Sequence, residues 1–148
     1  MTGVQTCALP IWVLERLTVA SLQQRVADGY RTLGELAWHL TVSHRSILDH
    51  TGLTFEEAAP DRGVPRNASE LSARYVASAA AVGRAVEGQW TDATLRVQDD
   101  IYGARWARGR TLFVLVVHEV HHRAQITVLM RRAGLVLPGV YGPSADEH

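Results

Sequence analysis

Histidines are the residues of this chain best suited to chemistry, and six of the seven lie on two predicted helices. On the last predicted helix, His118 and His122 are four residues apart, which places one imidazole above the other. Leu115, Gln125 and Leu129 follow the same helical spacing, so this face is predicted to turn inward. Two imidazoles at this spacing can bind one metal ion. The alternative is a pair of core histidines that bond to the backbone or to each other.

A third histidine is predicted to face the same interior from another helix. Leu36, His39, Leu40, Ser43 and Ile47 follow helical spacing, so the imidazole of His39 points inward with the apolar side chains. Three neutral imidazoles leave a bound cation its double charge and keep positions open for water or substrate. That arrangement is typical of a catalytic rather than a structural site. The sequence therefore predicts a divalent-cation site at His39, His118 and His122.

The remaining internal histidines are not predicted to be ligands. His44 and His50 lie off the inward face of their helix, and we expect both to be solvated. His121 is adjacent to His122 on the last helix, so its side chain should point about 100° away.

A second interpretation starts from the same helix. The segment from His118 to His122 matches H-E-x-x-H, which would make Glu119 the general base of a metal-dependent hydrolase. Such enzymes usually take a third ligand downstream, where only Asp146, Glu147 and His148 are available. They also have an edge strand along the substrate cleft, and the sequence predicts none. A non-catalytic bundle that binds a metal for stability is a further alternative.

Helical periodicity positions these residues, and no segment has the sustained alternation typical of strands. Residues 12–17 resemble the end of a first helix whose beginning is missing. Thr32 and Glu35 have capping-box spacing and predict a second helix from Leu33 to His50. A loop is predicted over residues 54–66, which contain two prolines and a glycine.

Asn67 is predicted to cap a third helix that ends at Gly88, with a buried stripe of Leu71, Tyr75, Ala79, Val82 and Val86. An irregular connection should follow over residues 90–109. The fourth helix is predicted from Arg110 to Ala133, ended by Gly134. The tail should be extended and pack Val136, Val140 or Tyr141 on the helices. The expected fold class is all-α, a four-helix bundle with long crossover connections.

The composition of the chain excludes several classes of function. The 148 residues suit one domain with a hydrophobic core, and apolar residues make up 47% of them. Fifteen arginines, with no lysine, balance fifteen acidic residues, so no basic field would attract nucleic acid or an anionic membrane. No apolar run approaches the roughly 20 residues that a membrane span needs. The single cysteine, Cys7, excludes an internal disulfide framework, and without an export signal we expect a cytoplasmic protein.

The first eleven residues are interpreted separately. The string MTGVQTCALPI resembles a translated sequencing adapter and has no helical apolar stripe. We therefore treat residues 1–11 as a non-native segment and residues 12–148 as the single domain, with a truncated first helix. Cys7 then carries no functional argument.

Three segments resemble the DinB-like, or YfiT-type, family of metal-binding four-helix bundles. They read LGELAWHL at residues 33–40, HEVHHRAQ at residues 118–125 and VYGPSADE at residues 140–147. With their spacing they cover nearly all of the chain after Trp12. The second is the most specific, and it departs from the family at Ala124, where glycine is common.

The resemblance implies one divalent metal ion, zinc or nickel, bound by His39, His118 and His122. It also implies a thiol-dependent S-transferase that uses a small-molecule thiol such as mycothiol or bacillithiol and an electrophilic substrate. Arg123 and Gln125 adjoin the predicted ligands, and either could orient substrate or support a ligand. A solvated surface arginine is the alternative for Arg123. Relatives are often dimers, so a homodimer is possible, whereas nucleic-acid and membrane partners are not expected.

Overall fold

The computed structural model describes residues 10–56 and 63–147, and over these residues the chain is mostly helical. Helix α2 packs against both α3 and α4 and is the central helix of the fold. The elements, in chain order, are α1 (described over residues 10–14), α2 (Leu33–Leu48), α3 (Ala68–Gln89), β1 (Gln98–Ile101), β2 (Ala104–Ala107) and α4 (Arg108–Arg132). The mostly helical chain agrees with the prediction.

Side-chain caps begin helices α2 and α3. The hydroxyl of Thr32 accepts the N–H of Glu35 at 3.2 Å, and the Glu35 carboxylate accepts the N–H of Thr32 at 2.6 Å. The Asn67 side chain accepts the N–H of Ser69 at 2.9 Å. These bonds satisfy backbone donors that have no partner inside the helix. The predicted capping box at Thr32 and the predicted cap at Asn67 are therefore confirmed.

Helix boundaries differ from the predictions by one or two residues. Helix α2 ends at Leu48 and continues as a short 3-10 turn over Asp49–Thr51, while α3 extends past Gly88 to Gln89. Helix α4 begins at Arg108 and ends before Gly134, whose φ of +73° is the left-handed conformation that closes a helix.

A two-stranded hairpin occupies the connection that was predicted to be irregular. Strands β1 and β2 pair antiparallel, with Ile101 opposite Ala104. Tyr102 and Gly103 connect them with φ values of +53° and +81°, the conformation of a tight primed turn. The prediction of an irregular connection over residues 90–109 was wrong here. Four residues are too few to give a recognisable alternation, and β1 includes two aspartates that disfavour strands.

The apolar core has two clusters. The larger one joins all four helices and includes Leu14 of α1, Leu40 of α2, Tyr75 of α3 and Ile126 of α4. The smaller one lies toward the end of α2 and includes Ile47, Val82 and Leu115. Both predicted inward faces, on α2 and on α4, contribute buried leucines to these clusters. The packing fixes how α2 and α4 face each other, and thereby where their histidines meet.

The two ends of the chain contact the larger cluster. Val13 and Leu14 are each 1% exposed, and Ile11 packs beside them. In the tail, Leu137 is buried and Val140 packs against the cluster, as predicted for Val140. Val136 and Tyr141 are 62% and 74% exposed, so neither is the apolar anchor. No helix within the described ranges is both long and apolar enough to cross a membrane.

Most of the segment predicted to be non-native lies outside the described residues. Only Pro10 and Ile11 of residues 1–11 are described, and Cys7 is not among them. The assignment of residues 1–11 and of a single domain over 12–148 stays a prediction.

Candidate metal centre

Helices α2 and α4 bring the three predicted ligands together. His39 extends from α2, and His118 and His122 extend from α4 one turn apart. Each of the three side chains is half-buried. On α4 the fully buried face is formed by Leu115, Glu119 and Arg123, with the histidines at its edge. The cluster can therefore be reached from solvent, while its back rests against the core.

The three imidazoles meet through their Nε2 atoms. Nε2 of His118 lies 3.2 Å from Nε2 of His39 and 3.1 Å from Nε2 of His122. The potential ligand atoms of all three side chains lie within 4.8 Å of one another. Two nitrogen ligands about 2.0–2.1 Å from one ion lie about 3.0–3.4 Å apart, depending on the angle between them. The residues present therefore fit a divalent cation, and this cluster could hold a metal ion.

The protonation of the three rings suits the same role. Burial, followed by the charge of Arg31 and the other two histidines, lowers the pKa of His39 from its ordinary 6.5 to about 4. Burial also lowers the pKa values of His118 and His122, with His122 contributing to the shift of His118. The rings are consequently neutral at neutral pH. Only an unprotonated ring nitrogen can bind a metal ion. Because the three rings are neutral, none of them has to lose a proton before it binds the ion.

Gln125 orients one of the three rings. Its Oε1 lies 2.7 Å from Nδ1 of His122, so the ring donates from Nδ1 and keeps the lone pair on Nε2. A hydrogen bond of this kind to a ligand histidine fixes its tautomer and its orientation. Of the two residues predicted to support the site, Gln125 does contact a candidate ligand.

Gln125→Ala is expected to weaken zinc binding by about tenfold, because His122 loses the acceptor that fixes its tautomer. Gln125→Glu keeps an acceptor at the same position and is the matched control. Competition with a chromogenic chelator measures both affinities. Wild-type affinity in the alanine variant would mean that the bond to Gln125 does not organise the site.

Arg123 extends toward the tail rather than toward the histidines. It is 3% exposed, and its guanidinium bonds the hydroxyl of Tyr141 and stacks 5.0 Å from that ring's centroid. The alternative of a solvated arginine was therefore wrong, and the hypothesis that Arg123 orients substrate or supports a ligand stays a prediction. Its visible contact holds the tail against α4.

A buried polar network lies behind the metal centre. Oε1 of Glu119 is 2.9 Å from Nε2 of His44 and accepts the hydroxyl of Tyr75 at 2.6 Å. Nδ1 of His44 is 2.7 Å from the hydroxyl of Ser78. His44 is 2% exposed, so the prediction that it is solvated was wrong. His50 and His121 are exposed, in line with the predictions for them.

The signal that identifies His44 is its spacing from two residues of the predicted inward stripe of α2. Leu40, His44 and Ile47 are separated by four and three residues, and Leu40 and Ile47 belong to the two core clusters. Along α2 the imidazole therefore lies between the clusters, where Glu119 reaches it from α4. A polar side chain inside an apolar stripe indicates a buried hydrogen bond.

The network also bears on the H-E-x-x-H interpretation. The carboxylate of Glu119 is 6% exposed and bonded to His44 and Tyr75, on the core side of α4. Asp146 accepts the N–H of Leu137, and Glu147 accepts the N–H of Gly139, so both organise the tail. His148 lies outside the described residues. These contacts give no support to a base or a third ligand from those positions.

Comparison with known proteins now assigns the family. The family model described as "DinB family" matches residues 11–148. The chain belongs to the DinB family. The resemblance seen in the three sequence segments is thereby confirmed.

The relatives of this DinB-family chain support the fold. It is 40% identical over 135 residues to the uncharacterized protein YrdA of Bacillus subtilis strain 168, covering 91% of this chain and 81% of YrdA. It matches the crystal structure of a DinB-like protein from Bacillus cereus ATCC 10987 with a TM-score of 0.89 and 38% identity, over 93% of this chain and 92% of that one. A DinB-like protein of Bacillus subtilis, YjoA, matches with a TM-score of 0.67 at 20% identity, over 88% and 87% of the two chains, a likeness of fold alone.

Proposed function

We propose that this DinB-family protein binds one divalent cation, zinc or nickel, through His39, His118 and His122 and uses it for thiol S-transfer. The observation that supports the proposal is the convergence of three Nε2 atoms, with separations of 3.1 and 3.2 Å from His118 to its two neighbours. Three histidine ligands leave a coordination position open, as catalytic sites require.

The side chains of such a site have different roles. His39, His118 and His122 hold the ion as neutral ligands, and Gln125 keeps the lone pair of His122 on Nε2. A divalent cation held there would lower the pKa of a thiol beside it and present a nucleophilic sulfur at neutral pH. Because the three rings are only half-buried, a small-molecule thiol and an electrophile can both approach.

The reaction that we propose is a substitution at an electrophilic carbon. The sulfur of a mycothiol- or bacillithiol-type thiol forms a bond to that carbon, and the thiol proton passes to solvent. With an alkyl halide the carbon–halogen bond breaks, and the halide leaves with the bonding electrons. The hydrolase alternative has weaker support, because Glu119 bonds His44 and Tyr75 instead of facing the cluster.

Conjugation of bacillithiol or mycothiol to the fluorogenic alkyl chloride monochlorobimane tests this function. Zinc- or nickel-loaded wild-type protein should accelerate the reaction by at least about a hundredfold over background, a threshold well below the roughly 10⁶-fold or greater acceleration typical of enzymes. The His118→Ala, His122→Ala double variant should show only background. His121→Ala changes an exposed neighbour and should retain the wild-type rate. No acceleration by the loaded wild-type protein with either thiol would refute the proposed transfer reaction.

A further inference from the structure

A cavity adjoins the metal centre at His122. Its volume is about 330 Å³, within the range of small-molecule sites. Its walls are mainly aliphatic, formed by Val26, Leu36, Val128 and Leu129. Val26 and Val128 are more than half exposed, so part of this apolar wall faces solvent. A ligand with an apolar body would cover side chains that are otherwise in contact with water.

One unneutralised cation lines this cavity. Arg31 is exposed, and it makes no ion pair or hydrogen bond within residues 10–56 and 63–147. Arg31 and the candidate ligand His122 line the same cavity, so the guanidinium lies near the cluster. In line with this position, the charge of Arg31 contributes to the lowered pKa values of His39, His118 and His122.

The nearest acidic residue on helix α2, Glu35, already takes part in a hydrogen bond. One carboxylate oxygen of Glu35 accepts the N–H of Thr32 at 2.6 Å. Its pKa is lowered chiefly by that backbone bond, and only weakly by Arg31. The guanidinium of Arg31 therefore faces the cavity with its hydrogen-bonding capacity available to a ligand.

The loop that contributes Arg31 is fixed at both ends. The guanidinium of Arg132 on α4 donates to the carbonyl of Val26 at 3.2 Å, which ties the loop across the cavity. At its other end the capping box fixes Thr32, the residue after Arg31. The cationic group is thus carried by a segment anchored to both helices that hold the histidines.

We propose that this cavity binds a small organic carboxylate, with the carboxylate on Arg31 and the apolar body between Leu36, Val128 and Leu129. The inference rests on the proposed function, because it names the substrate class for the same site. A planar guanidinium matches a carboxylate in two parallel hydrogen bonds. Among the described residues that line the cavity, Arg31 is the one arginine, so a singly charged carboxylate fits better than a phosphate. The bound molecule would extend from Arg31 toward His122.

The test uses 3-phenylpropionate and its uncharged match, 3-phenylpropionamide, titrated calorimetrically into zinc-loaded protein. Wild-type protein should bind the carboxylate about tenfold more tightly than the amide, the size expected for a hydrogen-bonded charge pair. Arg31→Gln should abolish this preference and leave the amide affinity unchanged, and Arg31→Lys should restore part of it. Arg131→Gln, an exposed arginine one helical turn beyond the cavity, is the matched control and should behave as wild type.

His39→Ala separates the cavity from the metal. It removes one candidate ligand but none of the residues that line the cavity, and the carboxylate preference should persist in it. A preference that disappears in His39→Ala and survives in Arg31→Gln would assign the carboxylate to the metal ion and overturn the proposal. Equal affinities for the two probes, or no binding of either, would overturn it as well. The monochlorobimane assay tests thiol transfer independently, so failure of the proposed transfer can be distinguished from failure of carboxylate binding.

Discussion

Glu119→Ala is expected to lower the free energy of unfolding by about 3–5 kcal/mol, because it removes the acceptor of two buried hydrogen bonds and each buried polar group left unsatisfied costs about 1–3 kcal/mol. The carboxylate of Glu119 accepts hydrogen bonds from His44 and Tyr75. Glu119 is 6% exposed, His44 is 2% exposed and Tyr75 is 0% exposed. Alanine would remove the acceptor and leave a cavity between the two apolar clusters. Urea denaturation followed by circular dichroism measures the loss.

Two further variants make this result specific. Glu119→Gln keeps an acceptor oxygen at the same place and should lose about half as much stability, since a neutral acceptor bonds more weakly. Glu70→Ala removes an acidic residue from an exposed pair with Arg74 and should cost no more than about 1 kcal/mol. A loss at Glu119 no larger than that at Glu70 would show that the network contributes nothing to stability.

Zinc is expected to raise the melting temperature of the metal-free protein by about 10 °C. A ligand at about 1,000 times its dissociation constant stabilises the folded state by about 4 kcal/mol, because it binds that state and not the unfolded chain. In a domain of this size each kcal/mol corresponds to a shift of about 2–4 °C. Differential scanning calorimetry with and without zinc measures the change, and a chelator should reverse it.

The control for zinc stabilisation uses the histidines outside the cluster. The His118→Ala, His122→Ala double variant should show no zinc-dependent shift. The His50→Ala, His121→Ala double variant loses as many imidazoles, both of them exposed, and should shift as the wild type does. Equal shifts in the two double variants would assign the stabilisation to nonspecific binding.

Sequence alone predicted the helices and the three histidines, because both depend on local spacing. The capping box at Thr32 and the glycine at position 134 are short-range signals, and each is present in the structure. His39 lies 79 residues from His118, but each points inward for a reason contained in its own helix. Because the inward faces of α2 and α4 pack together, the imidazoles on these faces lie close to one another.

The features that were missed depend on contacts between distant segments. His44 was judged to lie off the stripe of His39, although two members of that stripe, Leu40 and Ile47, lie four residues before it and three residues after it. Its partners Ser78 and Glu119 are 34 and 75 residues away, and no local pattern connects them. The cavity at Arg31 likewise exists only because a loop and two helices meet there.

The hairpin and the tail were missed for other reasons. The strands have four residues each, and their turn is Tyr102–Gly103 rather than one of the pairs most typical of hairpins. In the tail, a run of neighbouring apolar residues hid the anchor, which is Leu137 rather than Val136. Register in short or irregular segments is set by the surface they pack on, which the sequence does not display.

Metal content by elemental mass spectrometry tests the central claim most directly. The wild-type protein and the His118→Ala, His122→Ala variant would be purified, supplied with zinc or nickel and freed of excess ion by gel filtration. We predict about one ion per wild-type chain and none in the variant, since three imidazoles form the site. Equal metal content in the two proteins, or no metal in the wild type after loading, would contradict the assignment of His39, His118 and His122 as a metal centre.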